Sequence, residues 1–246
     1  MPKFFSSNIA GDKLIIDSED VRHIKNVLRL KTGDKIEVCD GTGCDYSCEI
    51  SDIEEKEIIC LIKEKRFADT EPPIKLTLYQ GLPKAAKMDY IIQKNTELGI
   101  SEIVPCELAR CVVKLDDKKS AAKNAARWQK IAEEAAKQCG RGIIPAVCEP
   151  IPLKTAIERL KKEDLAFALY ECESDRSLKK TLVENKSAKT VGFLIGPEGG
   201  FDPAEIELLH SEGIKSIGLG RRILRTETAG EAVSAMIMYE IGDINR

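Results

Sequence analysis

The chain has 246 residues, enough for one large domain or two modest ones, each able to bury a core. Hydrophobic residues make up 43% and charged residues 32%, a balance that excludes intrinsic disorder. The formal net charge of -3 excludes an unpatterned polycation, though a local basic face can still meet nucleic acid. No apolar run reaches the ~18–20 residues that span a bilayer, and the start MPKFFSSNIAGDKLII lacks the apolar core of a signal peptide. The expectation is a cytoplasmic protein with no membrane partner. Nine cysteines, an odd number without an export signal, are expected as reduced thiols. Cys44 with Cys48, and Cys106 with Cys111, have loose ligand-like spacing but no second Cys or His pair nearby, so no metal site is expected.

The first 70 residues read mostly as β-structure. SEDVRHIKNVLRL at 18–30 predicts one helix with Ser18 as N-cap and an apolar stripe of Val21, Ile24 and Leu28. Arg22, Lys25 and Arg29 recur at helical spacing on another face, either a solvated face or a small phosphate-contacting footprint. DKIEVCD at 34–40 alternates apolar and charged residues, and YSCEISDI and EIICLIK continue as short strands separated by turns such as DGTG at 40–43. Short strands in so few residues suggest a compact barrel. ADTEPPIK at 68–75, with Pro72 and Pro73, is the best linker, and a domain boundary is expected near residue 71.

Beyond the linker, strands and helices alternate. Strands are predicted at 75–80, 102–107, 165–170, 191–196 and 214–220; helices at 87–99, 121–140, 153–162, 175–185, 203–213 and 228–242. This alternation implies a largely parallel sheet covered by helices, whose ligands bind beyond the carboxyl ends of the strands. Three strand ends stand out: LYECES, GPEGG and GLGRRILRTET.

The stretch FLIGPEGGFDPAE at 193–205 runs from strand through a glycine turn into a helix start, a common phosphate-binding arrangement. It fails the phosphate test. A P-loop needs a lysine after its last glycine, where this chain has Phe201; the dinucleotide fingerprint needs G-x-G-x-x-G, which GPEGG lacks; and Glu198 would repel an anion. A tight turn alone accounts for the glycines but not for the second glycine-rich strand end at 218–220. Hydrolytic triads are poorly supported, because the only histidines, His23 and His210, lie in no nucleophile-elbow setting. In GRRILRTETAG at 220–230, Thr226, Glu227 and Thr228 suit a helix cap. Ile223 and Leu224, placed in a turn with free backbone amides, suit an adenine-like ring.

LIGPEGGF followed by LGRRILRTETA resembles the SPOUT-class RNA methyltransferases, and more closely the RsmE-type bacterial enzymes that methylate uridine N3 in small-subunit ribosomal RNA. HIKNVLRLKTGD at 23–34, KMDYIIQKNTELGISEIVP at 87–105 and RWQKIAEEAAKQCGR at 127–141 are similar to further motifs of that family, in the same order. The resemblance implies a PUA-like β-barrel at 1–70 and an α/β methyltransferase domain at 71–246 with a deep C-terminal trefoil knot. It implies S-adenosyl-L-methionine as cofactor, 16S rRNA of the small ribosomal subunit as partner, and a homodimer. Carried over by position, the cofactor contacts are Leu169, Tyr170, Ile195, Gly196, Pro197, Glu198, Gly199, Gly200, Leu219, Gly220, Leu224, Arg225, Thr226 and Ala229.

Uridine N3 holds a proton at neutral pH, so its methylation needs a base or cations that stabilise the anion, and a base lifted out of its pair. Glu198, Glu227, Arg225 and Arg141 are the candidate groups, with no choice among them from sequence. RNA contacts are expected from Arg22, Lys25 and Arg29, with Lys123, Arg127, Lys130 and Arg141. The rival readings are a related enzyme acting on another RNA or atom, and a non-catalytic RNA-binding or ribosome-assembly factor.

Overall fold

The computed structural model describes residues 3–17, 19–84, 86–113 and 118–245. Two compact units divide the chain: Met1–Glu71 together with Ala136–Ile144, and Pro72–Ala135 together with Pro145–Arg246. The division falls inside ADTEPPIK, and the return of nine residues to the first unit is a detail that no single cut in the sequence anticipates.

In the first unit, β1 (Lys3–Phe5), β2 (Ile9–Ala10), β3 (Lys13–Ile16), β4 (Lys35–Cys39), β5 (Cys44–Ile53) and β6 (Ile58–Phe67) form one sheet in the order β1-β4-β5-β6-β3-β2. All pairs are antiparallel except β1 with β4. Period-two alternation turns Leu14, Ile16, Ile36, Val38, Cys48, Ile50, Ile58 and Cys60 onto one curled inner face, where they pack with Phe4, Val21 and Ile24. Burial pushes the Cys48 thiol up to about 11 and the Cys60 thiol to about 12, so both behave as small apolar groups.

The helix expected at 18–30 differs from expectation. A short α1 (Asp20–Arg22) passes into a π-helical turn at His23–Leu28, and Arg29 ends it with a φ of +55°. Backbone bonds in a π turn reach five residues back, as Arg29 N–H does to Ile24 O, so Arg22, Lys25 and Arg29 do not keep α-helical spacing. The expected Ser18 cap lies outside the described residues. The returning segment is tied into the same unit through Glu71. Its carboxylate accepts from the Gly142 and Ile143 backbone N–H groups and pairs with the Arg141 guanidinium at 2.7 Å.

The second unit carries seven parallel strands: β7 (Lys75–Gly81), β8 (Glu102–Glu107), β9 (Ala146–Val147), β10 (Ile151–Pro152), β11 (Leu165–Leu169), β12 (Thr190–Ile195) and β13 (Lys215–Ile217). The main path runs β10-β8-β7-β12-β11-β13, with β9 beside β8. Its helices are α2 (Lys87–Glu97), α3 (Lys118–Cys139), whose last turn belongs to the first unit, α4 (Leu153–Leu160), α5 (Leu178–Glu184), α6 (Pro203–Ser211) and α7 (Thr226–Glu240). Leu76, Leu78, Val191, Phe193, Leu194 and Phe167 are fully buried, as near-continuous apolar runs in a covered parallel sheet should be. The register sets Ile195 beside both Gln80 and Leu169, and Leu169 beside Ile217. The carboxyl ends of β11, β12 and β13 are therefore level, and the loops that leave them meet at one edge.

Candidate active site at the strand ends

Those three loops enclose a cavity of about 390 Å³. Leu169, Tyr170 and Glu171 line it from the end of β11; Ile195, Gly196, Pro197, Glu198, Gly200 and Phe201 from the end of β12. Leu219 to Arg225, with Thr226 and Ala229 of α7, complete the wall, and Lys87 enters from the start of α2. Of the residues expected at a cofactor site, only Gly199 is missing from the lining: it turns toward Arg110, whose guanidinium donates to Gly199 O at 3.1 Å.

The GPEGG turn is held at every corner. Gly200 N–H closes it on Pro197 O at 2.9 Å, and Gly200 has a φ of +66°, the left-handed region that glycine enters without strain. Asp202 and Glu205 then form a reciprocal capping box at the start of α6, with Pro203 in the first helical position. Glu205 also accepts from Ala109 N–H at 2.8 Å.

Thr226 is not the helix cap that its sequence context suggests. It lies inside the first turn of α7, Arg225 is the N-cap, and no side chain caps the helix. The Thr226 hydroxyl instead donates to Gly196 O at 2.7 Å and accepts from Gln80 Nε2 at 2.8 Å. All three groups are buried, so this chain of hydrogen bonds locks the end of β7, the glycine turn and the start of α7 together.

Lys87 connects the two candidate carboxylates. Its Nζ lies 3.0 Å from Glu198 Oε1 and 3.2 Å from Glu227 Oε2. Glu198 Oε1 also accepts from Lys84 N–H at 3.0 Å. Burial by itself would raise the Glu198 carboxyl; hydrogen bonds from its own and the Lys84 backbone N–H, with Lys87, hold it below the usual carboxylate range. The same pairing, led by Glu198, raises Lys87, which stays protonated. A carboxylate held this way is a weak proton acceptor, so the geometry favours Glu198 as an anchor over Glu198 as a base. Sequence reading passed over Lys87 because its partners are more than 100 residues away.

The loop after β13 is built differently. From Leu219 to Leu224 no hydrogen bond is made among the described residues. Leu219 and Leu224 pack on the core, while Ile223 is 85% exposed.

The RNA methyltransferase domain family matches residues 70–238, and the RNA methyltransferase PUA domain family matches residues 16–63. A Bacillus subtilis protein, ribosomal RNA small subunit methyltransferase E, is 39% identical over 92% of this chain and 89% of its own length. The chain belongs to the ribosomal RNA small subunit methyltransferase E family. The Aquifex aeolicus member is 31% identical over 97% of this chain and 99% of its own. The crystal structure of the Neisseria gonorrhoeae member, bound to S-adenosyl methionine, superposes with a TM-score of 0.88 at 30% identity, covering 99% of both chains. The strand ends that bound the cavity in this family member are thus those singled out by LYECES, GPEGG and GLGRRILRTET.

The remaining sequence-predicted residues of this family member are dispersed. Arg22 and Arg29 are exposed; Lys25 Nζ donates to Glu54 O at 2.9 Å. Lys123 and Lys130 are exposed on α3, but Arg127 is engaged in a two-pronged ion pair with Asp89 at 2.6 and 2.8 Å. Arg141 is 4% exposed, is paired with Glu71 inside the first unit, and is absent from the cavity lining. Among the described residues no group of His, Cys, Asp and Glu could hold a metal ion, and no helix is long and apolar enough to cross a membrane.

Proposed function

We propose that this chain transfers a methyl group from S-adenosylmethionine to N3 of a specific uridine in 16S rRNA of the small ribosomal subunit. The observation that carries the reading is the cavity at three level strand ends, with a glycine turn on one side and an arginine-bearing loop on the other. Its size falls in the range of small-molecule sites. Leu169, Ile195, Leu219 and Leu224 offer apolar walls for an adenine ring, and the turn at 196–200 offers closely approachable backbone. Bound there, S-adenosylmethionine supplies an electrophilic methyl group on a cationic sulfur. The carboxylates of Glu171 and Glu198 on the lining suit that positive charge.

Glu198 and Glu227 hold Lys87 protonated at the rim, and Arg225 adds a second cation. Either cation can steady negative charge on O2 or O4 as uridine N3 loses its proton. The first unit, with exposed Arg22 and Arg29, supplies RNA affinity in this reading, and residues 1–70 and 71–246 act as the RNA-binding and methyltransferase domains. The C-terminal chain of the second domain is read as tied in a trefoil knot; a crystal structure whose C-terminal chain threads no loop would remove that feature. A homodimer in the cytoplasm completes the proposal. It is supported by Met236 and Tyr239, which α7 leaves exposed on its outer face, and a Met236→Glu/Tyr239→Glu variant should sediment as a monomer.

The reading is tested by incubating unmethylated small subunits with the protein and S-adenosylmethionine, then identifying the nucleosides by mass spectrometry. Appearance of 3-methyluridine is expected. A methyl group on another atom would move the proposal to another reaction, and cofactor-independent RNA binding alone would make the chain a binding factor.

A further inference from the structure

Arginines in this chain are mostly matched with carboxylates. Arg66 meets Glu37, Arg110 meets Asp202, Arg127 meets Asp89, Arg159 meets Glu102 and Arg176 meets Glu173. Arg22 and Arg29 stand apart from this habit singly, and the loop at 220–225 does so as a cluster. Arg221, Arg222 and Arg225 are exposed on the cavity rim and have no ion-pair partner among the described residues, although the chain carries more acidic than basic residues. Among them stands Ile223, an aliphatic side chain left 85% in water. Gly220, with a φ of +90°, starts the loop.

Three uncompensated guanidiniums within five residues form a field that attracts anions. One small cofactor carboxylate cannot match three cations, whereas consecutive phosphates can. A second copy of this chain docked here would have to bring three carboxylates to the same short loop. The exposed isoleucine answers a different need. A base methylated on its Watson–Crick edge must leave its stack, and proteins that disturb stacking insert an apolar wedge such as Ile or Leu into the gap.

We propose that the loop at 220–225 is the RNA-docking and base-everting edge of the site. Arg221 and Arg222 hold phosphates flanking the target, Arg225 stays with the target base, and Ile223 fills the space that the base vacates. The inference rests on the methyl-transfer reading for the role of Ile223, while the arginine contacts stand on charge alone.

The test uses the full-length protein, unmethylated small subunits and a single-stranded RNA oligonucleotide. For Arg221→Ala/Arg222→Ala, the slope of log affinity against log salt should fall by roughly 1.4, the value for two lost single-strand phosphate contacts, with the thermal unfolding transition unchanged. Ile223→Gly should bind RNA with near-parental affinity but methylate small subunits roughly tenfold more slowly, the effect of losing part of a stacking compensation of a few kcal/mol. An unchanged salt slope overturns the proposal. So does a double variant that sediments as a smaller species while binding RNA normally, since the loop would then be a self-association surface. If the parent protein forms no 3-methyluridine yet the double variant loses its salt slope, the methyl-transfer reading fails and the RNA surface stands.

Discussion

The two glycine-rich walls of the cavity come from the ends of two parallel strands, β12 and β13, that flank β11, but follow opposite designs. The turn at 196–201 is secured by its own backbone closure, by Glu198 on Lys84 and Lys87, by Arg110 on Gly199 and by the capping box of α6. The loop at 219–224 makes no hydrogen bond among the described residues and holds its cations and one isoleucine out in solvent. A fixed wall suits a small ligand of constant shape, because binding then orders few side chains. An unpaired, charged wall suits a large flexible partner that supplies its own phosphates.

The largest effect should come from breaking the fixed wall at its buried centre. Thr226→Val keeps the shape of the side chain but takes the hydroxyl from Gly196 O and from one of the two Gln80 Nε2 bonds, the other, to Gly81 O at 2.9 Å, remaining. The expected loss is about 2–3 kcal/mol of stability by denaturant unfolding, with a marked fall in cofactor affinity. Thr226→Ser retains the hydroxyl and should keep most of both.

Next comes the Lys87 bridge. Lys87 and Glu198 are partly exposed, so Lys87→Met should cost less stability than Thr226→Val, about 1 kcal/mol or less. Its distinguishing mark is in pH dependence. A carboxyl depressed in the folded state contributes stability that is fully present above its unfolded pKa and is lost as pH falls through the folded value. The same ionised carboxylate lines the cavity proposed for the cationic cofactor, so cofactor affinity in the parent should hold from neutral pH through the ordinary carboxylate range and decline only below it. In Lys87→Met, where one cause of the depression is gone, that decline should begin at higher pH. Titration calorimetry across pH reads both curves, and coincident curves would show that Lys87 does not set the Glu198 charge.

The smallest effect on the fold should come from the open wall. Arg221→Ala/Arg222→Ala removes no intramolecular partner and should leave unfolding free energy within about 0.5 kcal/mol of the parent. A larger change would mean that these arginines make contacts within the fold.

How much of this was legible in the sequence follows the same division. Apolar runs such as Lys75–Gly81 and Thr190–Ile195 announce themselves because a covered parallel strand is apolar on both faces. Asp202-Pro203 announces the start of α6 because cap chemistry is local. The helix at 18–30 was less legible: the apolar positions Val21, Ile24 and Leu28 fit a 3.6-residue period, yet the backbone takes a π turn to reach a left-handed Arg29. The short strands β1, β2 and β3 carry too few residues for a period to show. At the site, the motif segments pointed to nearly every lining residue, but the pairings did not follow from them. Thr226 bonds to Gln80 and Gly196 rather than capping its helix, and Lys87 finds Glu198 and Glu227, because tertiary packing joins segments that sequence spacing keeps apart.

The division of labour between the walls is tested most directly by titrating S-adenosylmethionine into Thr226→Val and into Arg221→Ala/Arg222→Ala by calorimetry, beside the parent protein. The account predicts a marked loss of affinity in Thr226→Val and parental affinity, within about twofold, in the double arginine variant. Comparable losses in both, or a loss confined to the arginine variant, would contradict it.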